Sequence, residues 1–63
     1  MPIAHVHILE GRTTEQKRAV IEKVTLALRE ALGAPPESIR VVIEEMPKEN
    51  YGIGGVSAKD LGR

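Results

Sequence analysis

The sequence predicts an α/β chain: a single βαβ unit with parallel strands plus a C-terminal β-hairpin, completed by oligomerisation. Three observations predict it. Residues 3–9, Ile-Ala-His-Val-His-Ile-Leu, are rich in β-branched side chains and alternate in type, as a strand does. Residues 14–32 carry apolar side chains at helical spacing. Residues 39–45, Ile-Arg-Val-Val-Ile-Glu-Glu, form a second β-rich run. A strand, a long helix and a second strand in that order read as a parallel, right-handed crossover.

Each element has its own punctuation. In the first strand Ala4, Val6 and Ile8 share one face, and Ile3, His5, His7 and Leu9 the other. Gly11 breaks it. Thr13 is placed to cap the helix, and Gln16, three residues on, completes a capping box. Glu15 suits the positive first turn. Val20, Ile21, Val24, Ala27, Leu28, Ala31 and Leu32 make the apolar stripe expected to form the core. Gly33 fits a left-handed residue after the last turn, and Pro35-Pro36 forbids continuation. The helix would be roughly 28 Å long.

In the second strand Ile39, Val41 and Ile43 face one way, and Arg40, Val42 and Glu44 the other. Pro47 stops it, and Glu44-Glu45 reads as a solvated strand end. Tyr51-Gly52-Ile53-Gly54-Gly55-Val56 reads as a small hairpin turning at Gly54-Gly55. Residues beyond Ala58 are expected to be loosely held.

Size and faces together call for a partner. The 63 residues make one domain, expected to span 1–63. A core of this size rarely supplies more than about 3–5 kcal/mol without a staple. The chain has no cysteine, which leaves self-association. One helix covers only one side of a two-stranded sheet, and the aliphatic faces suit it best. Ile3, Leu9 and Val42 then lie on the opposite side, beside His5, His7, Arg40 and Glu44. Another subunit is the expected cover, with Arg40 at the seam.

Composition narrows the function classes. Nine Lys+Arg balance nine Asp+Glu, with no basic patch interleaved with aromatics, so nucleic acid is not the expected partner. No apolar run is long enough to span a membrane. No leader is visible, and the expectation is a cytoplasmic protein.

The first residues carry the chemistry. Initiator methionine is removed when the next residue is small, so Met1 is expected to leave Pro2 with a free secondary amine. Every other backbone nitrogen is an amide with a delocalised lone pair. Terminal amines have pKa values of about 7.7–8.0, and a proline amine starts somewhat higher. Burial and nearby cations lower it. Two units of lowering correspond to about 2.7 kcal/mol. The result is a neutral base near pH 7, as general base catalysis requires.

Blander readings exist for each residue. Proline at a strand's first position is structurally harmless. Arg12, just before a helix, can be a solvated charge. Arg40 can be a salt-bridge partner of Glu10 or Glu44. His5 and His7 lie two apart on one face and could share a metal, but a third ligand is not evident, so no metal is expected. A hydrogen-bonded interface role suits them better. A lone Gly54-Gly55 is explained by the hairpin rather than by phosphate binding.

Pro2-Ile3-Ala4, His7-Ile8-Leu9-Glu10-Gly11-Arg12, Arg40-Val41 and Tyr51-Gly52-Ile53-Gly54-Gly55, in this order and spacing, resemble the 4-oxalocrotonate tautomerase family over nearly the whole chain. The resemblance implies a homohexamer, a trimer of βαβ dimers. It implies cofactor-independent keto–enol tautomerisation with Pro2 as general base and acid. Arg12 would bind the far carboxylate of a dicarboxylate substrate, and Arg40 the carboxylate and oxygen beside the reacting centre. The two arginines would come from neighbouring subunits. Leu9, Tyr51 and Ile53 would wall the pocket. Tyr51 stands where the best-known members carry phenylalanine, and His5 often corresponds to a glutamine.

The chemistry agrees with the resemblance. A 2-hydroxymuconate-like dienol needs one proton taken from oxygen and one delivered to carbon, and one amine does both. Arginine donors stabilise the charge that gathers on the substrate oxygens. Two alternatives remain. One is hydration or dehalogenation of an unsaturated acid, with a cationic Pro2 donating a proton. The other is a non-catalytic oligomerising module.

Overall fold

The computed structural model describes all 63 residues. The strands β1 (Ile3–Leu9) and β2 (Arg40–Met46) pair in parallel, from Ile3 opposite Arg40 to Leu9 opposite Met46. The helix α1 (Thr14–Leu32) connects them. A hairpin of β3 (Gly52–Ile53) and β4 (Val56–Ser57) follows. This is the expected βαβ unit and hairpin.

Local chemistry sets the helix bounds. The Thr13 hydroxyl accepts from the Gln16 N–H at 3.1 Å, and the Gln16 side-chain oxygen accepts from the Thr13 N–H at 3.0 Å. Two donors that the helix start leaves unpaired are thereby satisfied. At the other end Gly33 takes φ 68°, and its N–H donates to the Arg29 carbonyl at 2.9 Å. A side chain there would be strained, which is why glycine stops the helix.

Both boundaries of β2 differ from expectation. The strand pattern opens β2 at Ile39. Instead Pro36–Ser38 form a 3₁₀ turn, and the Ile39 N–H closes it onto the Pro36 carbonyl at 3.1 Å. The strand starts at Arg40, and Ile39 becomes one of only two buried residues, at 7% exposure. The strand runs on to Met46, because the Met46 carbonyl still has a donor, the Glu10 N–H at 2.9 Å. Pro47, lacking an N–H, then ends the ladder.

The tail is also tied down, against expectation. Ala58 is fully buried. Its N–H donates to the Tyr51 carbonyl at 2.7 Å and its carbonyl accepts from the Arg63 N–H at 2.9 Å. The Leu61 N–H reaches the Ser57 carbonyl at 3.0 Å. The closing turn is held by the backbone rather than by a core.

The faces alternate as the pattern requires. Ala4, Val6, Ile8, Val41 and Ile43 are half-buried toward the helix, while Ile3, His5, His7, Arg40, Val42 and Glu44 are exposed. The helix stripe, however, is only partly covered. Val20, Val24 and Leu28 are half-buried, but Ile21, Ala27, Ala31 and Leu32 are exposed, Leu32 by 63%. Two strands about 4.8 Å apart offer a platform too narrow for the whole stripe. Glu45 is not merely solvated either. It follows Ile43 on the helix side and meets the Lys17 ammonium at 2.9 Å.

Candidate active site

The sequence-derived site residues fall at two ends of the sheet. At the N-terminal end Pro2 precedes β1, and its carbonyl accepts from the Arg40 N–H at 3.0 Å. The strand ladder itself therefore places Pro2 beside Arg40. Met1 ahead of it is 77% exposed. The Arg40 side chain stands on the open face with Ile3, its ladder partner. Its guanidinium donates to the Glu37 carbonyl at 2.7 Å. Neither Glu10 nor Glu44, the partners considered from sequence, holds it within the chain.

Leu9, Glu10, Gly11 and Arg12 occupy the other end. Strand geometry puts Leu9 roughly 23 Å from Pro2 along β1. Gly11 takes φ 111°, a conformation costly for any other residue, and turns the chain out of the strand toward the helix cap. Arg12 is exposed and has no ion-pair partner in the chain. It lies between two cavities. One, of about 230 Å³, is bounded by Ile8, Arg12, Gln16, Lys17 and Val20. The other, of about 450 Å³, is an open groove formed by residues 8–12 with Lys48 and Arg63. Neither cavity reaches Pro2.

The hairpin hangs from this second end. The Glu10 carboxylate accepts from the Lys48 N–H at 3.0 Å, and Lys48 opens the 3₁₀ turn Lys48–Asn50. The Tyr51 N–H closes that turn onto the Lys48 carbonyl at 3.4 Å. Tyr51 and Ile53 follow, both still exposed, and the hairpin leans chiefly on the turn. One chain thus gathers Pro2 with Arg40, and separately Leu9 with Arg12 and the base of the hairpin. It does not bring Arg12 to Pro2.

His5 and His7 stand exposed on the open face, His7 opposite Glu44. No third imidazole or carboxylate joins them as a cluster.

The model of the family described as Tautomerase enzyme matches residues 2–61. The chain belongs to the tautomerase family. A 2-hydroxymuconate tautomerase from Comamonas testosteroni is 65% identical over 63 residues, covering the whole of both chains. A 4-oxalocrotonate tautomerase isozyme structure from Methylibium petroleiphilum superposes with TM-score 0.94 at 68% identity, covering 98% of this chain and 100% of that one. A heterohexameric 4-oxalocrotonate tautomerase from Chloroflexus aurantiacus superposes with TM-score 0.91 at 33% identity, covering 97% of this chain and 98% of that one. The protein is therefore a tautomerase, an isomerase acting on a small molecule.

Tautomerisation moves a proton between oxygen and carbon, which needs a base and charge stabilisation. With Met1 removed, the Pro2 end would offer a terminal amine with the Arg40 guanidinium on the neighbouring strand. The Arg12 end offers an unpaired cation over an open groove. Sequence reasoning missed Lys48 and Arg63 as groove residues, and Ala58 as the anchor of the tail. Glu10 and Lys48 are 38 residues apart, and no local spacing signals such a contact.

Proposed function

We propose that the protein ketonises a 2-hydroxymuconate-like dicarboxylate dienol without a cofactor, using Pro2 of the Met1-processed chain as base and acid. One observation carries this reading: a relative named for that activity matches the chain from end to end at 65% identity. The geometry supports it. The Pro2 lone pair takes the enol proton and the electrons flow through the diene. The resulting ammonium returns the proton to carbon, so the amine ends unchanged. Arg40 neutralises charge growing on the carboxylate and oxygen beside the reacting centre. Arginine's planar fork suits that pair of oxygens better than a lysine point charge.

Arg12 binds the far carboxylate, and Leu9, Tyr51 and Ile53 wall the pocket. Arg12 lies too far from the Pro2 of its own chain, so it comes from a neighbouring subunit. We assign the single domain 1–63 to a cytoplasmic homohexamer, a trimer of dimers. Exposed Ile3, Val42, Ile21 and Leu32 give the protomer apolar surface that such an assembly would cover.

Intact mass spectrometry combined with an ultraviolet assay of dienol decay tests the reading. The expected result is a chain lacking Met1 that converts the dienol rapidly. A fully active preparation that retains Met1 overturns it, because an acylated proline nitrogen is not a base. A rate that falls as Pro2 becomes protonated fits tautomerisation. A rate that falls as Pro2 loses its proton would favour hydration instead.

A further inference from the structure

We infer that Lys48 is a specificity-determining residue, a second cation that acts with Arg12 to select substrates carrying a carboxylate at the end remote from the reacting centre. This rests on the tautomerase reading of the Arg12 end and deepens it.

The groove of about 450 Å³ lies between the end of β1 and the closing turn. Arg12, Lys48 and Arg63 border it, against one side-chain carboxylate, that of Glu10. The sole ion pair within the chain, Lys17 with Glu45, involves none of these residues. Glu10 spends an oxygen on the Lys48 backbone N–H at 3.0 Å. The groove is therefore cationic, with its cations unmatched, beside Leu9, a proposed pocket wall. Unmatched cations bordering one concave surface favour an anion there.

Lys48 is the better placed of the two additional cations. It is half-buried, whereas Arg63 is exposed. Its backbone is fixed on both sides. The N–H is held by Glu10, and the carbonyl accepts from Tyr51 at 3.4 Å and Lys59 at 3.3 Å. Less freedom is then lost when its side chain meets a ligand. Because only the backbone serves the fold, the side chain is left to the groove. The same turn carries Tyr51 and Ile53, so the cation and the wall move as one piece.

The test compares two pairs of molecules. Muconate and sorbate share a six-carbon diene, but sorbate has a methyl where muconate has its second carboxylate. Their dissociation constants are measured by titration calorimetry on the assembled, Met1-free protein. Turnover of 2-hydroxymuconate is measured against phenylenolpyruvate, which lacks a far carboxylate. In Lys48→Gln the muconate-to-sorbate preference is expected to fall about tenfold, as is the matching ratio of kcat/KM, mainly through KM. Lys48→Arg is expected to restore most of both, and raised salt to weaken the wild-type preference.

Unchanged ratios in a folded, assembled Lys48→Gln overturn the inference, as does an equal fall for both members of each pair. Should Lys48→Gln fail to assemble, Lys48→Arg and the salt series decide alone: a preference insensitive to salt overturns the inference. Loss of the tautomerase reading looks different, since the wild type would then turn over neither enol. Binding of muconate over sorbate would still report on Lys48.

Discussion

At the Pro2 end of β1 two chemically distinctive residues meet through backbone, the Pro2 carbonyl accepting from the Arg40 N–H at 3.0 Å, and no cavity forms there. At the Arg12 end an open groove forms, bordered by three cations and the Glu10 carboxylate, and Pro2 does not reach it. One end has the proposed base and no cavity, and the other has cavities that Pro2 does not line. A strand of seven residues holds them roughly 23 Å apart. A chain this small has no element to spare for folding one end back onto the other. Within one protomer neither end makes a complete site, and if the proposed chemistry draws on both, they must come from different subunits.

The largest way to break the comparison is to remove the reactivity. An uncleavable N-terminal extension that keeps Pro2 acylated is expected to lower kcat about 10²–10⁴-fold, the usual worth of general acid–base catalysis. The helix and sheet should remain, as circular dichroism would report. Pro2→Ala, which keeps a free amine after Met1 removal, should fall less far. If both variants keep full activity, the Pro2 end is not the reactive one.

Arg40 comes next. Arg40→Ala should lower kcat/KM about 10²–10³-fold, in the range for losing one preorganised donor to a developing oxyanion. Arg40→Lys should recover little of it, since a point charge lacks the paired donors of a guanidinium. Within the protomer, Arg40→Ala removes one side-chain hydrogen bond, from the guanidinium to the Glu37 carbonyl. Gel filtration would show whether the assembly survives. A loss of activity explained wholly by dissociation would move Arg40 from chemistry to the subunit seam.

How much of this was legible in the sequence follows the range over which each signal acts. The capping box of Thr13 and Gln16 was legible because three residues fix its geometry. The sheet faces were legible because strand alternation repeats every two residues, as Val41 and Ile43 show. The start of β2 was not, since Pro36–Ser38 curl into a 3₁₀ turn whose last bond takes Ile39 out of the ladder. Ala58 was unreadable because its burial depends on Tyr51 and Arg63 arriving from both sides. For the site, Met-Pro pointed to an amine through covalent chemistry alone. Lys48 was invisible, because its link to Glu10 crosses 38 residues and uses a backbone donor that any residue but proline has.

Complementation sharpens the comparison directly. Pro2→Ala and Arg12→Ala proteins, each weakly active on a dicarboxylate, are unfolded together and refolded as mixed assemblies. If every site draws Pro2 and Arg12 from different chains, random mixing at equal amounts leaves about a quarter of the sites intact. Activity should therefore rise well above that of either parent. A rise that stays absent in demonstrably mixed assemblies would mean that both residues serve from one chain, against the separation seen along β1.

The smallest expected effect distinguishes the scaffolds of the two ends. The Arg12 end is fastened by polar contacts: the Thr13 and Gln16 cap at 3.1 and 3.0 Å, and the Lys17–Glu45 pair at 2.9 Å. Thr13→Ala should cost about 1 kcal/mol of stability, as loss of a helix cap does. Glu45→Gln should cost less than about 1 kcal/mol, because both partners of the pair are partly solvated. Since Arg12 adjoins the cap, Thr13→Ala should raise KM for a dicarboxylate while leaving the phenylenolpyruvate rate near its starting value. Chemical denaturation and the two KM values check this together. Equal changes for both substrates would show that the cap supports the protein as a whole rather than the Arg12 end alone.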